Sequence, residues 1–216
     1  MLKLVIFDFD GVLFNTAKYY LKTRDVYFKR YNIKFTKKEH KENLATTTKD
    51  FFNNVTKKYN LNLSYSVYFK EKKEIFYSFL NKIKINPGVL NLLKELKKNK
   101  VKIVLSSSNE KENVLFFLEK YKIKKYFDLI LTSEDIKKHK PHPEAFLKPT
   151  KLLKIKPEES IGIEDSLQGI VSINSSKIKS IALLSEFTTR KDFKKLKATL
   201  IIKSIKDLNY KKLASL

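Results

Sequence analysis

Two aspartates follow the first apolar stretch of the chain at a spacing of two residues. The run "LKLVIF" ends at Phe7, and Asp8, Asp10 and Gly11 come after it. On an extended backbone, side chains two residues apart point the same way, and ligands bind at the carboxyl ends of strands in doubly wound sheets. A single aspartate in this place is typical of a turn cap, but the pair followed by a glycine predicts a functional site.

A short polar segment follows a second apolar run. "VKIVL" is followed by Ser106, Ser107, Ser108 and Asn109, and the sequence after them predicts a helix. Hydroxyls and an amide at a helix N-terminus suit an anion, because free N–H groups and the helix dipole point toward it. The same residue types also cap helices, so this segment alone leaves both interpretations open.

Two further segments supply a cation and a second pair of acids. Lys140 precedes Pro141 and Pro143, whose rings restrict the backbone that carries the lysine. Glu164 and Asp165 follow the apolar run "SIGI". Carboxylate oxygens from two strand ends, completed by waters and a substrate phosphate, predict a Mg²⁺ site.

The elements that must position these residues alternate between strand and helix. Short apolar runs predict strands at 2–7, 101–105, 129–132, 160–163, 180–184 and 199–202. Helical spacing predicts helices at 87–100, 110–121, 143–154 and 166–176. This alternation is typical of the α/β class, with a doubly wound (Rossmann-like) parallel sheet covered on both faces.

The region after the first strand has a different texture. Aromatic residues at steps of three and four predict amphipathic helices near 20–31, 51–59 and 69–79. We therefore expect a helical domain, residues 15–82, inserted after the first strand. The α/β domain would consist of residues 1–14 and 83–216.

Composition narrows the classes of function. The 216-residue chain has no cysteine, which excludes disulfides, thiolate chemistry and Cys-based zinc sites. No apolar run reaches the roughly 20 residues that a membrane-spanning helix needs. Acids from Asp8 onward interrupt the N-terminal apolar stretch, unlike a signal peptide. We expect a cytoplasmic monomer without membrane association.

The net charge of +23 raises the question of nucleic-acid binding. Nearly all of the basic residues are lysines scattered along the chain, with arginine only at positions 24, 30 and 190. Readers of phosphates and bases favour the bidentate guanidinium group of arginine. Nucleic acid is therefore disfavoured as a partner, and a milder attraction of anionic substrates is favoured.

Four segments together resemble a known family. "DFDGV", "VLSSSN", "KP" and "GIEDS", in this order, resemble the motifs of the haloacid dehalogenase-like (HAD) superfamily of phosphotransferases, over essentially the whole chain. "FDGV…NTA" and "IGIEDSLQGI" are most similar to the subgroup of β-phosphoglucomutases and phosphoglycolate phosphatases. The resemblance implies a Mg²⁺-dependent phosphatase, in which residues 15–82 are a helical cap domain and residues 1–14 and 83–216 are the α/β catalytic core. Its substrate would be a small phosphorylated metabolite, such as a sugar phosphate or a phosphoglycolate-like ester.

The same resemblance implies roles for individual residues. Asp8 would be the nucleophile that forms an aspartyl-phosphate, and Asp10 the general acid and base. Mg²⁺ would be held by Asp8, the main-chain carbonyl of Asp10 and Asp165, with Glu164 beside the ion or ligating it. The residues implied to bind the phosphate are Ser107 (or Ser106, one residue earlier), Ser108, Asn109 and Lys140.

Substrate choice is less determined. β-Phosphoglucomutases typically carry a histidine where Tyr20 stands and an arginine in a cap loop, where this chain offers Lys49. This difference favours a phosphatase and leaves a phosphomutase as the alternative. A non-catalytic protein that binds anions or nucleic acid is a more remote alternative, because such descendants usually lose an aspartate or the lysine. Candidate specificity residues in the cap are Thr16, Tyr20, Thr46, Thr47, Thr48 and Lys49.

Overall fold

The computed structural model describes residues 1–43 and 48–216, with the backbone alone given for residues 41–43. Thr46 and Thr47, two of the candidate specificity residues, lie outside the described residues. By its internal contacts the chain forms two compact units. The first contains residues 1–14 and 85–216 and is called the α/β unit. The second contains residues 15–84 and is called the helical unit.

Six parallel strands form the sheet of the α/β unit. The strands are β1 (Leu4–Phe7), β2 (Lys102–Ser106), β3 (Leu129–Leu131), β4 (Ser160–Glu164), β5 (Lys179–Leu183) and β6 (Leu200–Ile202). Their spatial order is β3-β2-β1-β4-β5-β6. The α/β fold expected from the sequence is confirmed, and every predicted strand is present within about two residues of its expected bounds.

The helices follow in chain order. Those of the helical unit are α1 (Ala17–Lys29), α2 (Lys37–Asn43), α3 (Thr48–Lys58) and α4 (Tyr65–Tyr77). Those of the α/β unit are α5 (Val89–Lys98), α6 (Lys111–Lys120), α7 (Glu144–Leu153), α8 (Leu167–Ser175), α9 (Arg190–Lys195) and α10 (Tyr210–Ala214). None of the described helices is both long enough and apolar enough to cross a bilayer.

Strand β1 lies at the centre of the sheet and sets the place of the site. All four of its residues are fully buried, as expected for a strand of a parallel sheet that is covered on both faces. Phe7, its last residue, is in register with Leu105 of β2 and with Ile163 of β4. The strand order reverses between β1 and β4, which is where ligands bind in doubly wound sheets.

Alternating residues of the strands build the core of the α/β unit. Leu4, Ile6 and Val104 belong to one buried cluster that also includes Phe146 of α7 and Ile173 of α8. The hydrophobic effect of burying these side chains, about 25 cal/mol per Å² of apolar surface, fixes the helices on the sheet. The strand ends are thereby held on a rigid support.

Two short helices of the α/β unit were not predicted from the sequence. Helix α9 spans six residues, too few to show a helical period in an apolar pattern. Its start is nevertheless marked by a capping box, in which Thr189 Oγ1 accepts a hydrogen bond from the N–H of Asp192, and the Asp192 carboxylate accepts one from the N–H of Thr189. Helix α10 begins in a similar way at Asn209, whose Oδ1 accepts from the N–H of Lys212.

The helical unit is held together by aromatic rings. Its buried cluster consists of Tyr27, Phe28, Ile33, Phe51, Phe52, Val55 and Tyr68. Rings of Phe52 and Tyr68 stack at 4.9 Å, and Tyr27 meets the edge of Tyr68 at 4.7 Å. The predicted helices α1, α3 and α4 are present, whereas α2 was missed because "KKEHKEN" has no apolar residue to reveal its period.

Candidate active site

Three carboxyl groups converge where the strand order reverses. Asp8 directly follows β1, Glu164 is the last residue of β4, and Asp165 comes next. One carboxylate oxygen from each lies within 4.8 Å of the others. Asp8 and Glu164 are buried, at 6% and 2% exposure. The ladder that pairs β1 with β4 brings these groups together, since Phe7 and Ile163 are in register and Asp8 N–H donates to Ile163 O at 3.0 Å.

Lys140 places a positive charge among these acids. Its Nζ donates to Asp8 Oδ1 at 2.5 Å and to Glu164 Oε1 at 2.6 Å, and the side chain is 9% exposed. Burial by itself lowers the pKa of Lys140, but the charges of Asp8 and Glu164 outweigh burial and raise it. Lys140 is therefore charged at neutral pH and ties the end of β1 to the end of β4.

Two serines, one in helix α8 and one directly after it, hold the loop that carries Lys140. Ser172 Oγ donates to His142 O at 2.7 Å, and Ser176 Oγ donates to Pro143 O at 3.1 Å. The Lys140–Pro141 peptide bond is cis. The sequence analysis missed these supporting serines, although polar residues on the buried side of a helix at spacing four were a signal of buried hydrogen bonds.

The Glu164 carboxylate is fixed at both oxygens. Oε1 accepts from Lys140, and Oε2 accepts from the N–H and the hydroxyl of Ser166 at 2.8 and 2.9 Å. Gly169, on the first turn of α8, lies against this carboxylate, because a Cβ added there would be 1.9 Å from Glu164 Cδ. A side chain at position 169 would displace Glu164.

Gly11 makes the corresponding close approach to Asp165. Its φ is +75°, in the left-handed region that glycine adopts without strain, and an added Cβ would lie 1.9 Å from Asp165 Oδ2. The turn is closed by the hydrogen bond from Gly11 N–H to Phe14 O and by Asn86 Nδ2, which donates to Gly11 O at 2.6 Å. Glycine at position 11 therefore serves both the turn and the space for Asp165.

The electrostatics of this cluster fit a divalent cation. Burial raises the pKa of Asp8 to about 8, opposed by Lys140 and reinforced by Glu164 and Asp10. Burial, together with Glu164, Asp8 and Asp10, also raises the pKa of Asp165 well above its usual range. Crowded carboxyl groups whose ionisation is disfavoured are the oxygen ligands of a hard cation, whose charge reverses this penalty. Asp8 and Asp165 are suited to ligate it, and Glu164 lies beside them.

The serines at the end of β2 and directly after it have different surroundings. Ser106 Oγ donates to Ala145 O at 2.6 Å. That carbonyl would bond the residue four positions later in α7, but position 149 is a proline without an N–H. Ser107 is fully buried, and its Oγ accepts from Asn109 N–H at 3.0 Å. Ser108 is exposed.

Asn109 is in contact with the second aspartate of the first motif. Its Nδ2 lies 3.1 Å from Asp10 Oδ2 and 3.4 Å from Asp10 Oδ1. The end of β2 and the end of β1 are therefore joined by side chains as well as by the ladder. The sequence predicted that both residues lie at this edge of the sheet, but it gave no signal of their contact.

Comparison with known proteins decides the family. A model of the haloacid dehalogenase-like hydrolase family matches residues 5–183, most of the chain. The chain belongs to this family. The resemblance found in the sequence is thereby confirmed, and the protein is a HAD hydrolase. Asp8, Asp10, Lys140 and the Glu164–Asp165 pair all fall inside the matched range.

Individual relatives agree with this assignment. The HAD hydrolase is 29% identical over 190 residues to a phosphorylated carbohydrates phosphatase from Thermotoga maritima, covering 82% of each chain. It superimposes with a TM-score of 0.83 on a β-phosphoglucomutase structure from Clostridium difficile, with 29% identity and 100% and 96% of the two chains covered. A HAD hydrolase structure from Entamoeba histolytica gives a TM-score of 0.87 at 26% identity, covering 99% and 98%.

The candidate specificity residues of the HAD hydrolase belong to its helical unit. Thr16 is fully buried and immediately precedes α1. The ring of Tyr20 stacks on Phe76, with centroids 4.5 Å apart and an angle of 4°. Thr48 Oγ1 accepts from Lys72 Nζ at 3.1 Å, and this Nζ is 5.9 Å from the Tyr20 ring. The structure thus brings Tyr20 and Thr48 together around Lys72, which the sequence analysis missed.

Lys49 differs from these residues. It is the second residue of α3, and its side chain is exposed. Its ammonium group is therefore accessible to solvent. Its role as a specificity residue stays a prediction.

Proposed function

We propose that this HAD hydrolase is a Mg²⁺-dependent phosphatase that hydrolyses a small phosphate monoester through an aspartyl-phosphate. The observation that carries the proposal is the convergence of Asp8, Lys140, Glu164 and Asp165 at one end of the sheet, with Asp10 two residues from Asp8. A buried carboxylate beside an ammonium group and an acidic pair is suited to receive a phosphoryl group. The similarity to a phosphatase of phosphorylated carbohydrates supports this class of substrate.

In the first step, an Asp8 carboxylate oxygen attacks the phosphorus atom of the bound ester. A P–O bond to Asp8 forms, the P–O bond to the leaving alcohol breaks, and Asp10 gives its proton to the leaving oxygen. In the second step, water attacks the same phosphorus atom and loses a proton to Asp10. The bond between phosphorus and Asp8 then breaks, so that phosphate leaves and both aspartates return to their starting states.

Other residues bind the transferring group and hold the nucleophile. Lys140 keeps Asp8 in place and offsets the charge of the phosphoryl oxygens. The Ser107 hydroxyl, Ser108 and Asn109 lie between the end of β2 and the start of α6, where the dipole at the N-terminus of the helix suits an anion. Mg²⁺ held by Asp8, Asp165 and the Asp10 carbonyl, with Glu164 beside it, would neutralise charge on the phosphoryl group.

We also propose that residues of the helical unit choose the substrate. Tyr20, Thr48 and Lys49, with Lys72 as an added cation, would contact the part of the ester that does not react. Thr16, which is buried, would act through the start of α1. Binding energy from such remote contacts positions the reacting phosphorus. Exchanging these residues would change which ester is preferred and leave the chemical step in place.

The experiment is phosphate release from a panel of small esters, with Mg²⁺ and with a chelator. The panel contains phosphoglycolate, hexose 6-phosphates, β-glucose 1-phosphate and nucleoside monophosphates. We expect Mg²⁺-dependent release from one class of ester, no release by Asp8→Asn, and full activity in Lys203→Ala, which changes an exposed residue outside every motif. Release that survives both the chelator and Asp8→Asn would contradict the proposal.

A phosphomutase is the second candidate, favoured by the similarity to a β-phosphoglucomutase structure. It would use the same Asp8 and Asp10 but return the phosphoryl group to a sugar instead of to water. Conversion of β-glucose 1-phosphate to glucose 6-phosphate with a bisphosphate primer, without net release of phosphate, would favour this candidate over a phosphatase.

A further inference from the structure

We propose that Asn109 is a positioning residue that orients the Asp10 carboxyl group for proton transfer. The inference rests on the proposed function, in which Asp10 protonates the leaving oxygen. It gives Asn109 a task different from direct phosphate binding, the role that its place after β2 suggested.

The contact of the two side chains carries the inference. Asn109 Nδ2 approaches both oxygens of Asp10, at 3.1 and 3.4 Å. The terminal torsion of an aspartate is broad and loosely defined when nothing holds it. A donor that bridges both oxygens fixes the rotation of the carboxyl group, and therefore the directions in which its two oxygens point.

The amide can do this because its own backbone is anchored on both sides. Asn109 N–H donates to Ser107 Oγ at 3.0 Å, and Asn109 O accepts from Ser133 N–H at 2.9 Å. Ser107 extends β2, and Ser133 follows β3 by two residues. The backbone of Asn109 is thus fixed to the ends of two neighbouring strands. The sheet thereby sets the position of the side-chain amide that contacts Asp10.

A neutral donor suits this task better than a charged one. A lysine or arginine in the same place would form an ion pair with Asp10 and hold it ionised, which would hinder donation of a proton. An asparagine orients the carboxyl group without adding a charge. Placement within a fraction of an ångström matters for proton transfer, because efficiency depends on hydrogen-bond reach to the leaving oxygen.

The test compares two esters that differ in how much protonation their leaving group needs. p-Nitrophenyl phosphate releases a weakly basic oxygen, and phenyl phosphate releases a more basic one that depends more on Asp10. We expect Asn109→Ala to lower kcat/KM about 10- to 100-fold for phenyl phosphate and less than about 3-fold for p-nitrophenyl phosphate, within the range of general acid catalysis. kcat/KM reports only on the steps up to the first P–O cleavage. The later step, in which Asp10 acts as a base, therefore does not affect the measured kcat/KM.

Matched variants separate positioning from binding and from folding. Asn109→Leu keeps nearly the size of the side chain, adds no charge and removes the donor, and it should show the same dependence on leaving group as Asn109→Ala. Ser108→Ala, which changes a proposed phosphate contact at an exposed residue and leaves both backbone anchors of Asn109 in place, should lower kcat/KM by the same factor for both esters. In an Asp10→Asn background, Asn109→Ala should cause no further loss, because the group that it orients can no longer donate.

The outcomes distinguish this inference from the proposed function. Equal losses for both esters in the Asn109 variants, no loss in either, or a loss that adds fully to that of Asp10→Asn would overturn the positioning role while leaving the phosphatase proposal intact. A wild-type protein that releases no phosphate from either ester with Mg²⁺ would count against the proposed function itself, and the positioning role would fall with it.

Discussion

Each of the two units of this HAD hydrolase is stabilised internally, and the interactions that stabilise one unit differ from those that stabilise the other. In the α/β unit, charged groups at strand ends are buried and bonded to one another: Lys140 alone joins Asp8 to Glu164. In the helical unit, the rings of residues such as Phe28, Phe52 and Tyr68 pack around one another. The candidate specificity residues of this unit lie at or near the N-terminal ends of α1 and α3.

This difference indicates which unit contains the catalytic residues and which unit contains the residues that select the substrate. Asp8 and Glu164 are placed by the parallel ladder between β1 and β4, and Lys140 donates to both, so a small displacement would break several hydrogen bonds. Aromatic packing in the helical unit tolerates exchange of outer residues, because cores keep their fold when volume and pattern are retained. We therefore expect substitutions in the α/β unit to act on kcat and those in the helical unit to act on the choice of substrate.

The largest effect is expected at the nucleophile. Asp8→Asn should lower turnover on the order of 10⁴-fold or more, the scale of loss when a covalent nucleophile is removed. The fold should persist, because the amide is nearly isosteric and removes a carboxyl group that burial disfavours. Steady-state phosphate release, with circular dichroism as the check on folding, measures both. Retention of most of the activity would show that Asp8 is not the nucleophile.

A smaller effect should follow from filling the space beside Asp165. Gly11→Ala places a Cβ where the structure has Asp165 Oδ2, so the carboxylate must move. A displacement of about 1 Å in an active site can lower the rate on the order of 10²-fold. We expect a loss of kcat on the order of 10- to 100-fold, measured at saturating Mg²⁺ and substrate.

Gly162→Ala is the matched control, because it adds the same methyl group to the core side of β4. Its Cβ would meet the Ile173 side chain at 2.8 Å, away from the acids. It should lower the free energy of unfolding by about 1–3 kcal/mol, the usual effect of overpacking, and leave kcat of the folded protein unchanged. Equal kcat losses in both glycine variants would contradict the assignment of Gly11.

These two glycines also show how far the sequence alone could go. The strands and the acids at their ends could be predicted, because short apolar runs followed by polar motifs are local patterns. The contact of Gly11 with Asp165 joins residues 154 positions apart, and no local pattern reports it. The supports of Lys140 were missed for the same reason, and α2 and α9 because charged or very short helices lack an apolar period.

An intermediate effect is expected for the loop that carries Lys140. Ser172→Ala removes the partly buried hydrogen bond to His142 O, and the loss of such a hydrogen bond destabilises the fold by about 0.5–1.5 kcal/mol. We expect kcat to fall about 3- to 10-fold, at the lower end of what residues supporting a site contribute. Initial rates and thermal unfolding of the same preparation measure the two effects.

Ser204→Ala makes the same substitution at a cap remote from the acids. Ser204 Oγ accepts from Lys206 N–H, and loss of such a cap destabilises by about 1 kcal/mol. Its kcat should match that of the wild type at a temperature where both proteins are folded. If Ser204→Ala lowered kcat as much as Ser172→Ala, the effect on Lys140 would be a general consequence of lower stability.

The smallest effects should come from the helical unit. Lys49→Ala should change kcat/KM by about 3- to 5-fold for an ester with a second anionic group, which corresponds to about 1 kcal/mol for an exposed charge. For an ester whose phosphate is its only anionic group, kcat/KM should not change. Lys57→Ala, an exposed lysine near the end of the same helix, is the control. Equal effects of both lysines would indicate a general attraction of anions instead of a specificity contact.

The central claim is that Asp8 carries the phosphoryl group, and acid-quench labelling tests it most directly. A substrate with a radioactive phosphoryl group is mixed with Mg²⁺ and either the wild type or Asp10→Asn, which should retain the intermediate longer because it lacks the base that activates water. The account predicts a hydroxylamine-sensitive label on the peptide that contains Asp8, and none in Asp8→Asn. Release of phosphate with the label on another residue, or with no labelled protein in either the wild type or Asp10→Asn, would contradict it.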